Sequence, residues 1–489
     1  MNEYNVEKIV KAKHILPMKA EEVGQLLNMS CTMIRLDPAQ LITDIAVSDN
    51  MIIHEGCLYI PYNETDQFCT EAIAKGAVAI LTDHEIAEIP CIVVDDTASA
   101  VYRLCEVFEG SIRLPSVLVA GSEGKTTTKR MVKRVLQQKY NVFSQDGNYN
   151  SLHGLCCSLQ EVEAGAQIIV QEVDERRTQN TVNCSQILKP DVVLVTNIAE
   201  AHIGHLGGKE NLIESFRGLT AGLREDGLVI LNADDKDSMS AGFRADLLTV
   251  GINNPSADCL ATNIREKAGG IEFDVSFREA ITHVKLSVHG VHNVYNAMMA
   301  FVVGKLKGIP EKEIIKGLNS FKNTGIRQNV VHLGNVTVYA DCYNASATSV
   351  RYAIRCFDSL RAGRGKKVAV LGDIAEIEGY EESTYRQIAD CIDRSSIDVL
   401  VTCGKDSEQI HSYVTRDITE KHTRDLKELN EYLEELKKSG AGSYLFKASR
   451  VMRLEKSIQT VFPKHYDKLM NKPSRFQRWK RRIKKHLHR

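Results

Sequence analysis

The feature that most constrains this chain is a short apolar strand pattern that breaks at glycines and passes directly into a helix. Ser116-Val117-Leu118-Val119-Ala120 is almost continuously apolar, as suits a strand covered on both faces of a parallel sheet. Gly121-Ser122-Glu123-Gly124-Lys125-Thr126 follows, and a helical pattern runs over 126–139. Strand, glycine turn and helix in this order build a phosphate site. Glycines let backbone N–H groups approach anionic oxygens, and the helix N-terminus adds partial positive charge. Lys125 is placed to reach β- and γ-phosphates, and the Thr126 hydroxyl to ligate Mg²⁺. The strict Gly-x-x-x-x-Gly-Lys-Thr spacing is absent, because Val119 holds the first glycine position. The shorter Gly-x-x-Gly-Lys-Thr form stands instead.

The rest of the chain reads as three sections and a tail. Residues 1–112 hold a helical pattern at 68–76 and strand patterns at 77–81 and 91–94, and 111–115 reads as a linker. Residues 113–331 carry the phosphate loop and further buried-strand patterns at 167–170, 191–196 and 227–232. Residues 332–470 repeat the alternation, with strands expected at 336–340, 367–371, 399–402 and 443–447 and a helix at 426–437. Strands alternating with helices imply an α/β fold with mostly parallel sheets. At 489 residues, about three domains are expected.

Composition narrows the partners. The net charge of −1 hides an asymmetry: nine Lys and Arg and no acid lie between Lys472 and Arg489, leaving 53 basic against 63 acidic residues elsewhere. An acidic body excludes a general nucleic-acid binder. The thirteen cysteines contain no Cys-x-x-Cys pair, so zinc-ribbon and thioredoxin-like spacings are absent and reduced thiols are expected. The N-terminal stretch is too polar for a signal peptide, and no apolar run reaches the length of a membrane span. A cytoplasmic protein is expected.

With its sequel, the loop Gly121-Ser122-Glu123-Gly124-Lys125-Thr126-Thr127-Thr128-Lys129 resembles the ATP loop of the Mur ligases, especially their MurF branch. That branch adds D-alanyl-D-alanine to a UDP-linked muramoyl tripeptide. Other segments agree in order and spacing. Val195-Thr196-Asn197-Ile198-Ala199-Glu200-Ala201-His202 resembles the family's strand ending in a Mg²⁺-binding His. Leu231-Asn232-Ala233-Asp234-Asp235 is similar to its nucleotide-contacting strand end. Gly290-Val291-His292-Asn293-Val294-Tyr295-Asn296-Ala297 is similar to its adenine-side helix, and Gly325-Ile326-Arg327 to its hinge arginine. Asp341-Cys342-Tyr343-Asn344-Ala345, Leu371-Gly372-Asp373-Ile374-Ala375-Glu376 and Ser449-Arg450-Val451-Met452-Arg453-Leu454-Glu455 also resemble MurF segments.

The resemblance covers about residues 112–462. It implies a three-domain architecture: an N-terminal acceptor-binding domain, a central P-loop parallel-sheet domain for ATP, and a C-terminal Rossmann-like domain for an amine. It implies an ATP- and Mg²⁺-dependent amide ligase that activates a carboxylate as an acyl phosphate. Lys125, Glu172, His202 and Arg327 would be catalytic, with Thr126, Glu172 and His202 as metal ligands. The nucleotide would be held by residues 121–127 (Gly121, Ser122, Glu123, Gly124, Lys125, Thr126 and Thr127), with Asn232, His292, Asn293, Asn296, Arg327 and Asp341. Tyr343, Asn344 and Arg450 would meet the substrates, a small-molecule carboxylate and an amino acid or dipeptide amine.

Four departures from the family pattern stand out. Glu123 replaces the usual Asn. Phe216 falls where the family carries a carbamylated lysine bridging a second Mg²⁺, with Asp174 and Glu175 as the nearby acids able to replace it. Asp49-Asn50-Met51 stands for Asp-Ser-Arg, and Glu64-Thr65-Asp66-Gln67-Phe68 for a glycine-bearing segment. Asn344-Ala345-Ser346-Ala347-Thr348-Ser349 stands for Asn-Ala-Asn-Pro-Asp-Ser. Losing an arginine able to pair with a diphosphate weakens nucleotide-carrier recognition. Two alternatives follow: a Mur-type ligase with a non-UDP-muramoyl acceptor in a specialised pathway, or a catalytically weak ATP-binding regulatory relative. In the tail 471–489, Phe476, Trp479, Ile483 and Leu487 share one helical face among basic residues. This suits an anionic membrane surface and a peripheral place at the inner face of the membrane; the competing expectation is a solvated terminus.

Overall fold

The computed structural model describes residues 16–470, apart from 48–52, 63–65, 146, 148, 200–207, 268, 361–364, 376, 378 and 441. Asp49-Asn50-Met51, Glu64, Thr65, His202 and the tail 471–489 therefore lie outside the described residues. The chain folds as two compact units. One takes Met1–Ile198, Lys209–Cys259 and Ala297–Gly317; the other takes Ala199–Gly208, Leu260–Asn296 and Leu318–Arg489.

The first unit contains two larger sheets and the antiparallel pair Met18–Lys19/Leu41–Ile42. The N-terminal one runs in the order Cys31–Ile34, Cys91–Val94, Ala79–Thr82, Cys57–Ile60, Asp44–Val47. Its first pair is antiparallel and the others are parallel. The helix Thr97–Ile112 closes this part. Asp96 caps it by accepting from the Ala98 and Ser99 N–H groups, satisfying donors that a helix start leaves open.

The second sheet is parallel, in the order Val142–Phe143, Ile168–Glu172, Ser116–Ala120, Val192–Val195, Leu228–Asn232, Asp246–Gly251. After Ser116–Ala120 the chain builds strands on one side, then crosses to the other. The loop at 121–126 therefore sits at the point where strand order reverses, the usual ligand crevice of open parallel sheets. The two sheets meet within this unit. Gln160 donates to the Ile45 carbonyl at 2.6 Å and accepts from the Ile45 N–H at 2.8 Å.

The second unit holds the hairpin Gly270–Phe277/Ala280–Leu286, paired from Ile271↔Leu286 to Phe277↔Ala280. It also holds a six-stranded sheet ordered Asn329–Leu333, Val336–Ala340, Ser443–Lys447, Lys367–Gly372, Val399–Cys403, Thr419–Thr423. Only the first pair is antiparallel. Side chains alternate between faces. Val368, Val370, Tyr444 and Phe446 pack with Leu429, Leu433 and Ile458 on one face. Ala369, Leu371 and Leu445 pack with Ile354, Phe357, Tyr385 and Ile388 on the other. The sheet is thus doubly wound. Helix Ala347–Ser359 on the second face starts at a capping box between Ser346 and Ser349.

The segment carrying Phe216 forms the helix Lys209–Arg217 followed by a 3₁₀ turn at Gly218–Thr220. Backbones pack closely there: a Cβ on Gly218 would lie 2.6 Å from Thr181 Oγ1, and one on Gly222 would lie 2.2 Å from the Ser185 carbonyl oxygen. All thirteen cysteines are free thiols. Among the described residues no helix is long and apolar enough to cross a membrane.

Candidate active site

The phosphate loop is shaped by two glycines and braced by the neighbouring strand end. Gly121 takes φ 140°, and a Cβ there would lie 1.8 Å from Thr196 Oγ1, so only glycine fits. Gly124 takes φ 84° as the residue before helix Lys125–Leu136, a left-handed conformation that glycine adopts without strain. Ser122 N–H donates to the Asn197 carbonyl at 3.0 Å, and Glu123 N–H to Asn197 Oδ1 at 2.9 Å. Thr196 Oγ1 donates to the Glu123 carbonyl. Glu123, the departure at this loop, is thus held by its backbone.

Lys125 folds back over the loop. Its ammonium donates to the Gly121 carbonyl at 2.5 Å and pairs with both Glu175 oxygens at 2.9 and 3.0 Å. Glu175 is fully buried. Burial alone would push the Lys125 ammonium down, but Glu175, Asp174 and Glu172 outweigh it and hold it above the ordinary lysine range. The lysine therefore stays charged. Asp174 is gripped by Arg176 at 2.5 Å. Burial would raise its carboxyl, yet Arg176 and Lys125 hold it below the ordinary range.

Glu172 ends its strand with its carboxylate buried, 3% exposed. The Thr126 hydroxyl donates to its Oε2 at 2.9 Å, Lys129 approaches the same oxygen at 3.3 Å, and Asn150 Nδ2 donates to Oε1 at 3.3 Å. Lys129 also donates to the Gln145 carbonyl at 3.0 Å. The Thr126 hydroxyl and Glu172 carboxylate are adjacent hard oxygen donors, the set Mg²⁺ takes, so these residues fit a magnesium ion. Asn232, 9% exposed at its own strand end, accepts the Asp234 N–H at 3.0 Å. Phe216 is fully buried in the core and offers no oxygen. Its neighbour Ser215 donates to the Glu175 carbonyl at 2.7 Å. Arg217 turns to the Ala241 carbonyl at 2.6 Å.

Nearby, the His153 ring lies against Tyr62 at 4.7 Å, and the Arg177 guanidinium is 5.6 Å from the same tyrosine ring. Burial, then Arg177, pushes His153 down to about 4.

The second unit gathers the remaining expected residues in one network. His292 Nε2 meets Gln328 Oε1 at 2.9 Å, and its ring stacks on Tyr352 at 5.1 Å. Asn293 donates to the His289 carbonyl at 2.6 Å, and Asn296 to Asn293 Oδ1 at 3.2 Å. Gln328 N–H donates to Asp341 Oδ1 at 3.1 Å. Asp341 pairs with buried Lys447 at 3.1 Å, and Lys447 donates to the Asn344 carbonyl at 2.5 Å. The Arg327 guanidinium lies 3.5 Å over the Tyr343 ring, a cation–π contact. Arg450 lies 5.7 Å from the same ring and pairs with Glu455 at 2.7 Å.

Thus the structure clusters Gly121 to Thr127 with Glu172 in one unit, where Asn232 ends a strand of the same sheet. In the other it clusters His292, Asn293, Asn296, Arg327, Asp341, Tyr343, Asn344 and Arg450. Lys129, Asn150, Gln328 and Lys447 were not among the expected site residues. A Lys four positions after Lys125 on one helix was the available signal for Lys129.

Comparison with known proteins supplies the family. Residues 119–304 match the Mur ligase middle domain, and residues 326–450 match the glutamate ligase domain of Mur ligases. The UDP-N-acetylmuramoyl-tripeptide–D-alanyl-D-alanine ligase of Bacillus subtilis is 29% identical over 425 residues, 85% of this chain and 92% of that protein. The Escherichia coli ligase of the same description is 27% identical over 385 residues, covering 77% and 84%. A crystal structure of MurF from Acinetobacter baumannii superposes with a TM-score of 0.78 at 23% identity, covering 91% of this chain and 98% of that one.

Proposed function

The chain belongs to the Mur ligase family, and from that premise we propose that it is an ATP-dependent, ADP-forming peptide ligase of the MurF type in cell-wall precursor synthesis. The observation that carries this reading is the buried Lys125–Glu175 and Thr126–Glu172 pairing around a glycine-shaped phosphate loop. Residues 1–112 would take the acceptor, 113–331 ATP, and 332–470 the amine. By the relatives' description, the acceptor is a UDP-N-acetylmuramoyl tripeptide and the amine D-alanyl-D-alanine.

In this reading the acceptor carboxylate oxygen attacks the γ-phosphorus and ADP leaves, giving an acyl phosphate. The amine nitrogen then attacks the acyl carbon, inorganic phosphate leaves with the bonding pair, and the amine proton passes to solvent. Lys125, held charged, shifts from Glu175 to the phosphate oxygens. The Gly124 N–H and the helix start at Lys125 face the triphosphate, since the Ser122 and Glu123 N–H groups are held by Asn197. Arg327 stabilises charge on the transferring group, and Asp341 with His292, Asn293 and Asn296 orders the nucleotide side. Tyr343, Asn344 and Arg450 position the amine. Positioning and charge neutralisation account for most of the rate in such transfers. Thr126 and Glu172, with His202, would hold Mg²⁺, which neutralises phosphate charge when bound.

A second reading keeps the chemistry and changes the acceptor. It is favoured by Met51 standing where the family carries an arginine. The tail 471–489 is read as a contact for anionic membrane; deleting 472–489 should abolish liposome binding.

The test is phosphate release with ATP, Mg²⁺, UDP-muramoyl tripeptide and D-alanyl-D-alanine, each omitted in turn. Release that needs both substrates, with a matching pentapeptide mass, supports the MurF reading. ATP binding without release under those conditions rejects this substrate pair. Screening other acceptors then separates a different ligase from a regulatory ATP-binding protein.

A further inference from the structure

A second group of metal-ligating side chains lies in the N-terminal sheet. Asp44 and Cys57 are register partners on the parallel strands Asp44–Val47 and Cys57–Ile60. Partners in register present side chains to the same face. The chain enters the second strand through the turn His54-Glu55-Gly56-Cys57, in which Cys57 N–H donates to the His54 carbonyl at 3.3 Å. Gly56 takes φ 94°, and a Cβ there would come within 2.6 Å of Thr43 Oγ1. This tight turn folds His54 back toward Asp44, so that His54 Nε2 lies 2.7 Å from Asp44 Oδ2. One ligand atom each from Asp44, His54 and Cys57 lie within 4.8 Å of one another.

An imidazole–carboxylate pair alone would account for the 2.7 Å contact. It does not account for two further features. The Cys57 thiol is fully buried within the same reach. The other carboxylate oxygen, Asp44 Oδ1, is buried without a hydrogen-bond partner among the described residues, an arrangement that is costly unless a donor or cation satisfies it. The Asp44 and His54 side chains are each 34% exposed, so an ion has an entry path.

We propose that Asp44, His54 and Cys57 bind a divalent transition-metal ion of the Zn²⁺ class, through carboxylate, imidazole and thiolate, with a fourth position open to water. Nitrogen, sulfur and oxygen donors in this combination suit zinc, and a thiolate selects against Mg²⁺. Zinc bond lengths of about 2.0–2.3 Å place tetrahedral ligands roughly 3.3–3.8 Å apart. With the ligand atoms within 4.8 Å of one another and the His54–Asp44 contact at 2.7 Å, reaching that spacing takes side-chain rotations of about 1 Å. Binding replaces the thiol proton, which passes to solvent. The ion would clip the strand Asp44–Val47 to the turn that opens its neighbour.

The test is titration of the metal-free full chain with Co²⁺, then Zn²⁺, as the metals alone. Wild type, Cys57→Ser and His54→Gln are compared. Wild type should take up one Co²⁺ with a thiolate-to-cobalt charge-transfer band in the near ultraviolet, and Zn²⁺ should displace it and raise the unfolding temperature. Cys57→Ser should lose the band, although the other twelve cysteines remain. His54→Gln keeps the thiol and lies at a part-exposed position, so it guards against a folding failure in the serine variant; its Co²⁺ affinity should fall at least tenfold. A band that persists in Cys57→Ser, unchanged affinity in His54→Gln, or no uptake by folded wild type overturns the proposal.

Discussion

Replacing Glu175 by Gln tests how the phosphate lysine is held before nucleotide arrives. Glu175 is fully buried and meets Lys125 at 2.9 and 3.0 Å. Removing one partner of a buried pair costs about 3–5 kcal/mol, because a charge is left behind. Here Lys125 keeps the Gly121 and Ser122 carbonyls at 2.5 and 3.4 Å, which puts the expected cost below that range, at about 2–3 kcal/mol. At roughly 2–4 °C per kcal/mol for a unit of this size, the unfolding midpoint should fall by about 4–12 °C. Nucleotide should reverse part of this. Triphosphate oxygens replace the lost carboxylate, and ATP no longer competes with Glu175 for the ammonium. Regaining about 1.4 kcal/mol would tighten ATP about tenfold. Calorimetric titration with ATP in the absence of acceptor reads the affinity, and thermal unfolding with and without ATP reads the stability. A variant with a lowered midpoint and ATP affinity within twofold of wild type, or weaker, would refute the competition between Glu175 and phosphate.

Three further outcomes follow from the same geometry. Lys125→Ala should lower kcat/KM by about a thousandfold or more, because this cation acts mainly on transition-state charge; a rate within about twofold of wild type rejects the phosphoryl-transfer role. Gly121→Ala places a Cβ 1.8 Å from Thr196 Oγ1 at φ 140°, so unfolding should show a loss of about 2–4 kcal/mol with ATP binding lost; wild-type ATP affinity would count against the loop geometry. His153, depressed to about 4 by burial and Arg177, binds its proton more readily unfolded. The stability it contributes is therefore present above pH 6.5 and lost as pH falls from 6.5 toward 4, by on the order of 3 kcal/mol at most. In His153→Gln that acid-side slope should flatten in melts across this range, and an unchanged slope removes the assignment.

The parallel strands were legible because both their faces are buried. Ser116–Ala120, Val399–Cys403 and Ser443–Lys447 are buried throughout, so an unbroken apolar run or a run between turn signals marks each within a residue or two. The hairpin Gly270–Phe277/Ala280–Leu286 was not read, although its burial alternates residue by residue. Its turn is made by Arg278 and Glu279 at φ 50° and 67°, without the glycine or asparagine that signals such a turn. Val142–Phe143 is too short to carry a pattern. In the site, the loop residues are contiguous and announce themselves. Lys129, Asn150 and Lys447 do not, because each gains its meaning from a partner far along the chain: Glu172 for the first two and Asp341 for the third. A buried lysine on a charged helix looks like a solvated one until its partner is placed.

The departures from the family pattern have local accounts that leave the phosphate machinery intact. Glu123 is anchored by backbone bonds to Thr196 and Asn197, so the loop shape does not depend on its side chain. Phe216 fills the core, while the helix carrying it stays tied to Glu175 through Ser215. That leaves Glu175 as a buried carboxylate tied to the helix that carries Phe216. Ser346 and Ser349 cap the helix Ala347–Ser359, and the Asn344 carbonyl just before them is held by Lys447. The segment proposed to meet the amine is therefore fixed through its backbone. Asp66, in the altered acceptor segment, starts a helix and pairs with His84 at 3.2 Å. Each change among the described residues is thus tied into its local scaffold. On the proposed reading, the changes at 64–68 and 344–349 act on what faces the substrates, so selectivity should have shifted between acceptors and amines while ATP use has not. Across a panel of amines and acceptors, kcat/KM should vary by orders of magnitude while the KM for ATP stays within a few fold; a KM for ATP that follows the amine would place the divergence in the nucleotide site instead.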